Sequence, residues 1–194
     1  MALCCLLTSC GTLSENPLSS PENSKPDPRL LGTWRDTDDS SSDESYHFTA
    51  GKGPWLNLTI TFAKKNKKAE HYTLFPTTIG NYTFLNVRLD GTDNHKRPIK
   101  GYVFFRYSVS RHHTLSIRGM SNEPFVEAIR KGKLKGVLYS DEKNREDDLD
   151  LDPKPDNILI QDSTTNLAHF IQSKDIDDLF DNDNKTNSLK RVGD

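Results

Sequence analysis

The chain has 194 residues, of which 33% are hydrophobic and 28% are charged, and its formal net charge at pH 7 is −2. This length is enough for one domain with its own hydrophobic core, and the near-neutral charge argues against a nucleic-acid-binding protein. No stretch offers the roughly 20 apolar residues that a transmembrane helix requires.

All three cysteines lie within the first ten residues, at positions 4, 5 and 10. Disulfide scaffolds space their cysteines along the chain, so this clustering indicates another role. The segment Leu7-Thr8-Ser9-Cys10 follows a short apolar run. It resembles the lipobox of bacterial lipoproteins, in which an apolar residue and two small residues precede a cysteine. The resemblance implies that the Cys10 thiol carries diacylglycerol, that the signal is cut before Cys10, and that acyl chains anchor the protein to a membrane.

The organisation of the chain follows from its composition. A signal peptide usually begins with a basic segment, whereas the first basic residue here is Lys25, and a start codon assigned too late would explain the difference. Residues 11–29 are rich in Pro, Ser and Asn, which is typical of a flexible segment. We predict a signal peptide over 1–9, truncated at its N-terminus, a lipidated Cys10 with a flexible tether over 10–29, a single β-rich domain over 30–180, and a disordered tail over 181–194.

The centre of the chain is rich in predicted strands. WLNLTITFA, residues 55–63, alternates apolar and polar residues with a period close to two, the pattern of a half-buried strand. Aromatic and β-branched residues, which favour pleated surfaces, are frequent in the neighbouring segments. The other predicted strands are GTWRD, SYHFTA, HYTLFP, GNYTFLNVRLDG, GYVFFRYSVS and TLSIRGM, and RHH forms a hairpin turn between the last two.

Helices are predicted late in the chain. SNEPFVEAIRKGKL and DSTTNLAHFIQS each place their apolar residues on one face. Ser163 or Thr164 can cap the second helix. KLKGVLYS and NILIQD are further strands, and DIDDLF is a final helical turn. The predicted fold class is mainly β (β-rich α+β), an antiparallel lipocalin-like barrel or strongly curved sheet with two late helices.

The predicted domain begins with Leu31-Gly32-Thr33-Trp34. A Gly-x-Trp on the first strand, followed by antiparallel strands and a late helix, resembles the lipocalin/calycin group. The resemblance implies that Trp34 closes one end of a barrel beneath a cavity for an apolar ligand. However, the candidate inward side chains are large, and small barrels are filled by such side chains; they are Trp34, Phe62, Phe75, Phe84, Phe104 and Tyr107. A ligand cavity and a filled interior both stay open at this point.

Charge is distributed unevenly along the sequence. The stretch from Lys52 to Lys135 contains 16 Lys/Arg and 5 Asp/Glu, whereas Asp141–Asp156 contains 8 acidic and 3 basic residues. This excess indicates either a solvated surface whose charges balance in space or a basic face that meets anionic headgroups or an acidic partner. The KKNKK turn gives a candidate basic surface patch of Lys64, Lys65, Lys67 and Lys68.

The sequence lacks a recognisable catalytic or metal-binding motif. Adjacent strand residues point to opposite faces, so we interpret His112 and His113 as hairpin-tip residues rather than as ligands of one metal. The acidic segments that begin at Asp141 and Asp181 do not fit the EF-hand calcium loop. Nucleophile-elbow and phosphate-loop motifs are also missing. We predict no catalytic residues, no metal and no cofactor, and a protein that is not an enzyme.

The sequence therefore predicts a protein that is lipid-anchored to a membrane of the bacterial cell envelope, at the outer membrane, on the periplasmic side or at the cell surface. We expect a structural or interaction module whose partners are the membrane, anionic lipid headgroups or an envelope protein, and not nucleic acid. The alternative is lipocalin-like binding of a small apolar ligand in the barrel, by residues that the sequence does not identify. An open apolar cavity above roughly 300 Å³ would favour the alternative.

Overall fold

The computed structural model describes residues 12–36, 44–64, 67–92, 98–139, 157–180 and 187–193. The helices in these ranges are α1 (Glu123–Arg130) and α2 (Thr164–Gln172), and 3-10 turns cover Pro21–Asn23, Pro28–Leu30 and Asp177–Leu179. The strands are β1 (Thr12–Ser14), β2 (Gly32–Asp36), β3 (Glu44–Ala50), β4 (Leu56–Phe62), β5 (Glu70–Ile79), β6 (Tyr82–Thr92), β7 (Pro98–Val109), β8 (Thr114–Gly119), β9 (Gly136–Tyr139), β10 (Asn157–Ile160) and β11 (Asn187–Arg191).

Eight antiparallel strands of this set close into a barrel. β2 to β8 follow one another around it, each paired with the next. β11 pairs with β8 on one side and with β2 on the other, which completes the ring. The predicted fold class is confirmed: the protein is mainly β, its two helices come late, and the barrel is consistent with a lipocalin-like architecture.

The register of the strands defines the two ends of the barrel. Gly32 pairs with Phe48, so the beginning of β2 lies at one end, next to the 3-10 turn Pro28–Leu30. We call this the Trp34 end. Glu44 pairs with Phe62, which places the β2–β3 and β4–β5 connections at the other end. We call that the Glu44 end.

Buried apolar side chains fill the inside of the barrel. Inward and outward residues alternate along each strand, as the pleat requires. Trp34 is fully buried, and Tyr107 and the half-buried Phe62 pack in the same cluster, as predicted. The fifteen buried members of the cluster are Leu30, Trp34, Tyr46, Phe48, Leu56, Leu58, Ile60, Leu74, Leu85, Val87, Phe105, Tyr107, Leu115, Ile117 and Leu189.

A second apolar core lies outside the barrel wall, and it corrects part of the inward assignment. Phe84 and Phe104 point outward and pack with α1 and α2, and Phe75 meets the Trp55 ring at 5.0 Å on the outer face. These strands are apolar on both faces because the helices cover them. Alternation therefore cannot identify their inner side.

A small extension of the sheet lies beside β7. β1 runs parallel to β10 and meets β7 where Ser14 pairs with Tyr102, and β9 pairs with β10. Gly101 permits this approach, because a Cβ atom at that position would collide with the Ser14 carbonyl oxygen. The strands predicted from KLKGVLYS and NILIQD are confirmed as β9 and β10.

The structure corrects the predicted flexible tether over 10–29. Residues 12–14 form β1, and the chain that follows runs along the outside of β5 and β6. We call residues 15–27 the strap. Leu18 is its buried apolar contact, with 2% of its surface exposed. The Ser24 hydroxyl donates to the Pro76 carbonyl and fixes the far part of the strap.

Asn86 holds the strap to the barrel wall. This buried amide accepts a hydrogen bond from the Leu18 N–H (2.7 Å) and donates to the Phe75 carbonyl (3.2 Å) and to Thr77 Oγ1 (2.7 Å). The Ser19 and Thr77 hydroxyls lie 2.7 Å apart and extend the network. The strap is ordered mainly by polar contacts, which is why its Pro, Ser and Asn content wrongly indicated a flexible segment.

The structure also corrects the predicted disordered tail over 181–194. Residues 187–191 form β11, the strand that closes the barrel, and Leu189 is buried in its interior. A five-residue strand with one large apolar residue carries almost no periodic signal. Its order comes from pairing on both sides rather than from its own composition.

Candidate functional site

The predicted basic patch lies at the Glu44 end, in the β4–β5 connection. Lys64, Lys67 and Lys68 are exposed there, and Lys65 lies outside the described residues. Lys67 Nζ approaches Glu44 Oε1 at 3.9 Å and lies 3.7 Å from the centre of the Phe62 ring. An acidic side chain therefore meets this patch, which is less purely basic than its sequence indicated.

The predicted lipidation site, Cys10, also lies outside the described residues. The chain nevertheless enters the structure at a defined place two residues later. Thr12 Oγ1 donates to Asn122 Oδ1 at 2.9 Å, and Asn122 follows Gly119, the last residue of β8, by three positions. β1 is antiparallel to β7 with Ser14 opposite Tyr102, so Thr12 lies beside the end of β8 and farther from the beginning of β7 than Ser14 does. Lys64 and Lys68 lie in the β4–β5 connection, across the barrel from β8.

The Trp34 end is closed by a compact polar and aromatic arrangement. The Trp34 indole N–H donates to the Leu30 carbonyl at 2.7 Å, and both side chains are fully buried. Arg191 stacks over Trp34 with its guanidinium carbon 5.0 Å from the ring centre. Its Nη2 donates to the carbonyls of Arg29 (2.7 Å) and Leu31 (2.9 Å). One arginine of β11 thus ties the 3-10 turn, the indole and the last strand together.

Asp27, Arg29 and Tyr107 complete the closure. The Tyr107 hydroxyl donates to Asp27 Oδ2 at 3.1 Å, and Arg29 forms a two-point ion pair with the same carboxylate. Burial acts to raise the pKa of Asp27, but the hydrogen bonds and charge of Arg29 outweigh it, and the pKa lies below its ordinary value. Burial, with the adjacent Asp27 carboxylate, raises the pKa of the Tyr107 hydroxyl. Tyr107 therefore serves as a neutral hydrogen-bond donor in this closure.

The β7–β8 hairpin lies next to this closure. Its turn is fixed by Ser110, whose N–H donates to the Thr114 carbonyl (2.9 Å) and whose carbonyl accepts from the His113 N–H (3.2 Å). His113 has φ +52°, in the left-handed region that favours glycine. Its carbonyl accepts from the Arg191 N–H at 3.3 Å, so the hairpin and β11 are joined. His112 and His113 are hairpin residues, as predicted.

Between the hairpin and β11 lies an open depression of about 340 Å³. Its walls within the described part of the chain are entirely basic: Arg111, His112, His113, Lys190 and Arg191. Sequence reasoning missed this site because Lys190 and Arg191 were assigned to a tail. The only sequence signals are the short RHH and KR runs, and nothing in the sequence indicates that they meet.

Two basic residues also lie opposite each other on the barrel wall next to the depression. Lys190 pairs directly with Arg35 of β2 in the antiparallel register. Like charges placed opposite each other on neighbouring strands repel and cost stability. The geometry of the site suits an anion, because guanidinium, ammonium and imidazole groups all supply N–H donors to one concave surface.

Among the residues that the structure describes, no three His, Cys, Asp or Glu side chains come together in an arrangement for a metal ion. Nor does any helix there have the length and apolar character to cross a bilayer. Comparison of the chain with models of protein families, with curated proteins and with solved structures finds no match.

Proposed function

We propose that this chain is a lipid-anchored protein of the bacterial cell envelope that acts through its outer surface as an interaction module. The observation that carries the second half of this proposal is the filled barrel, whose interior holds fifteen buried apolar side chains, Trp34 and Phe105 among them. A packed interior offers little space for a ligand of the size that apolar binding cavities hold. It therefore weighs against the lipocalin-like alternative.

The anchor proposal rests on Leu7-Thr8-Ser9-Cys10 and gains a geometric consequence. Two residues span at most about 7 Å, so a lipid on Cys10 would be attached near Thr12, beside the end of β8. Such a lipid would hold this part of the barrel wall near the bilayer, and Lys64 and Lys68 are exposed at the Glu44 end. Each Lys or Arg near an anionic membrane contributes about 1 kcal/mol, which supports anionic headgroups as partners at that end.

The anchor is tested by labelling with radioactive palmitate in a bacterial host, using the chain behind a complete signal sequence. We expect the protein to incorporate label and to fractionate with membranes, because diacylglycerol on the Cys10 thiol would insert into the bilayer. The variant Cys10→Ala should lose the label and the membrane association.

Cys4 and Cys5 provide matched controls, because each substitution also removes one thiol from the same ten residues. Cys4→Ala and Cys5→Ala should label like the parent, since the cut removes both positions. Persistent labelling of Cys10→Ala, or loss of label in the two controls alone, would contradict the proposed anchor.

A further inference from the structure

We propose that the basic depression at the Trp34 end is a binding site for a phosphate group. Five basic side chains line it, contributed by the β7–β8 hairpin and by β11. A phosphate carries more than one negative charge and several acceptor oxygens, and Arg and Lys are its usual protein partners. A volume of about 340 Å³ accommodates a phosphate together with part of the group that bears it.

The cluster of basic side chains has an electrostatic cost when no anion is bound. Lys190 lies directly opposite Arg35 on neighbouring strands, and Arg111 and His112 lie on the adjoining hairpin. Such a like-charge pair destabilises the sheet. An anion bound between the hairpin and β11 offsets that repulsion, because it attracts the basic side chains on both elements.

The backbone of His113, at the wall of the depression, adopts an unfavourable conformation. Its φ of +52° strains any residue with a Cβ atom, and glycine would adopt this conformation with less strain. Strained residues are concentrated at binding sites. The hairpin holds an imidazole at the wall of the depression, at a position where a glycine would make a more stable turn.

Part of the depression is held rigidly by the barrel closure. Arg191 is fixed by its stacking on Trp34 and by its hydrogen bonds to two carbonyls, and its N–H is joined to the His113 carbonyl. Arg191, which lines the depression, is thus also part of the closure at the Trp34 end. A preformed basic surface loses little entropy on binding.

The location separates this site from the proposed membrane side. Lys64 and Lys68 are exposed at the Glu44 end, whereas the depression is at the opposite end of the barrel. A phosphate bound there would come either from a soluble molecule or from the headgroup of a second, facing membrane. The site does not depend on the anchor, so the test uses the full chain with Cys10→Ala.

The test follows backbone amide shifts by NMR while inorganic phosphate replaces chloride at constant ionic strength. We expect saturable shifts confined to the 110–114 hairpin and to β11. Arg111→Gln/Lys190→Gln should weaken binding by about tenfold or more, since tenfold corresponds to about 1.4 kcal/mol, within reach of one charge-assisted hydrogen bond. Lys64→Gln/Lys68→Gln is the matched control, with the same change of charge at the other end, and should leave the affinity unchanged.

His113→Gly is the second variant. It should raise the urea midpoint, because the strain is relieved, and weaken phosphate binding, because the imidazole is lost. A gain in stability also excludes misfolding as the cause of weaker binding. An unchanged phosphate affinity would overturn the assignment of His113 to the site.

Vesicles distinguish the two sources of phosphate. If Arg111→Gln/Lys190→Gln reduces binding of the protein to phosphatidylglycerol vesicles, the source of the phosphate is a lipid headgroup. If the protein binds phosphate but its binding to vesicles is reduced only by Lys64→Gln/Lys68→Gln, the source is a soluble molecule. Equal weakening of phosphate binding by both double variants, shifts spread over both barrel ends, or acetate binding as tightly as phosphate would overturn the proposal.

Discussion

Removal of residues 181–194 should abolish cooperative folding, because it removes the strand that closes the barrel. Leu189 is 1% exposed, and loss of such a leucine side chain costs about 2–5 kcal/mol. Stacking of Arg191 on Trp34 contributes about 0.5–2 kcal/mol, and each of its hydrogen bonds to the Arg29 and Leu31 carbonyls about 1 kcal/mol. The low values together reach about 4–5 kcal/mol, close to the whole stability of a marginal domain, about 5 kcal/mol. This total does not include the backbone pairing lost on both sides.

The assay is urea denaturation followed by tryptophan fluorescence, with the full chain beside a chain that ends at residue 180. We expect the shortened chain to show no cooperative transition. Leu189→Ala should lower the free energy of unfolding by about 2–5 kcal/mol. Lys190→Ala changes the neighbouring, exposed residue of the same strand, so it should stay within about 0.5 kcal/mol of the parent. A shortened chain with the midpoint of the full chain would refute the role given to β11.

Two further predictions concern polar groups away from the Trp34 end. Asn86→Ala leaves the buried Leu18 N–H without its acceptor and should cost about 1–3 kcal/mol; hydrogen exchange should speed up at Leu18 but not at Ile60, and the exposed Asn57→Ala is the control. Equal acceleration at Leu18 and Ile60 would mean that the strap is not a separate unit. Asp162 is buried, which acts to raise its pKa, but hydrogen bonds from the Lys135 and Ser163 N–H groups and from the Asn166 amide outweigh this and lower the pKa. Because a lowered folded-state pKa gives stability that is present above the unfolded-state pKa and lost as pH falls through the folded-state pKa, Asp162→Asn should be less stable than the parent at pH 7. The difference should shrink toward about pH 3, below the ordinary aspartate pKa, and a difference that is the same at both pH values would contradict the assignment.

The sequence predicted the strands that have one polar face. β3, β4 and β8 alternate because their outer side meets solvent, and their residues lie where the pattern placed them. β6 and β7 were predicted as strands, but Phe84 and Phe104 were assigned to the interior. The covering helices make both faces apolar, and which face is inner depends on contacts that the local pattern does not contain.

The ends of the chain were harder to predict for a related reason. The strap is ordered by Asn86 and Thr77, which lie about 60 residues away, and β11 by two strands that flank it. Composition shows only which apolar groups a segment itself can bury, and both segments do contain few of them. The basic depression was missed for the same reason, since the register of β8 and β11 brings Arg111 and Lys190 together.

The position of β11 in the chain also governs the order of folding. Arg191 binds a carbonyl 160 residues before it, and contacts so distant in sequence slow folding. During synthesis β2 to β8 can pair in turn, but β2 and β8 keep bare edges until β11 has been made. Bare strand edges pair readily with other chains. The time between completion of β8 and arrival of β11 is therefore the interval in which aggregation competes most strongly with barrel closure.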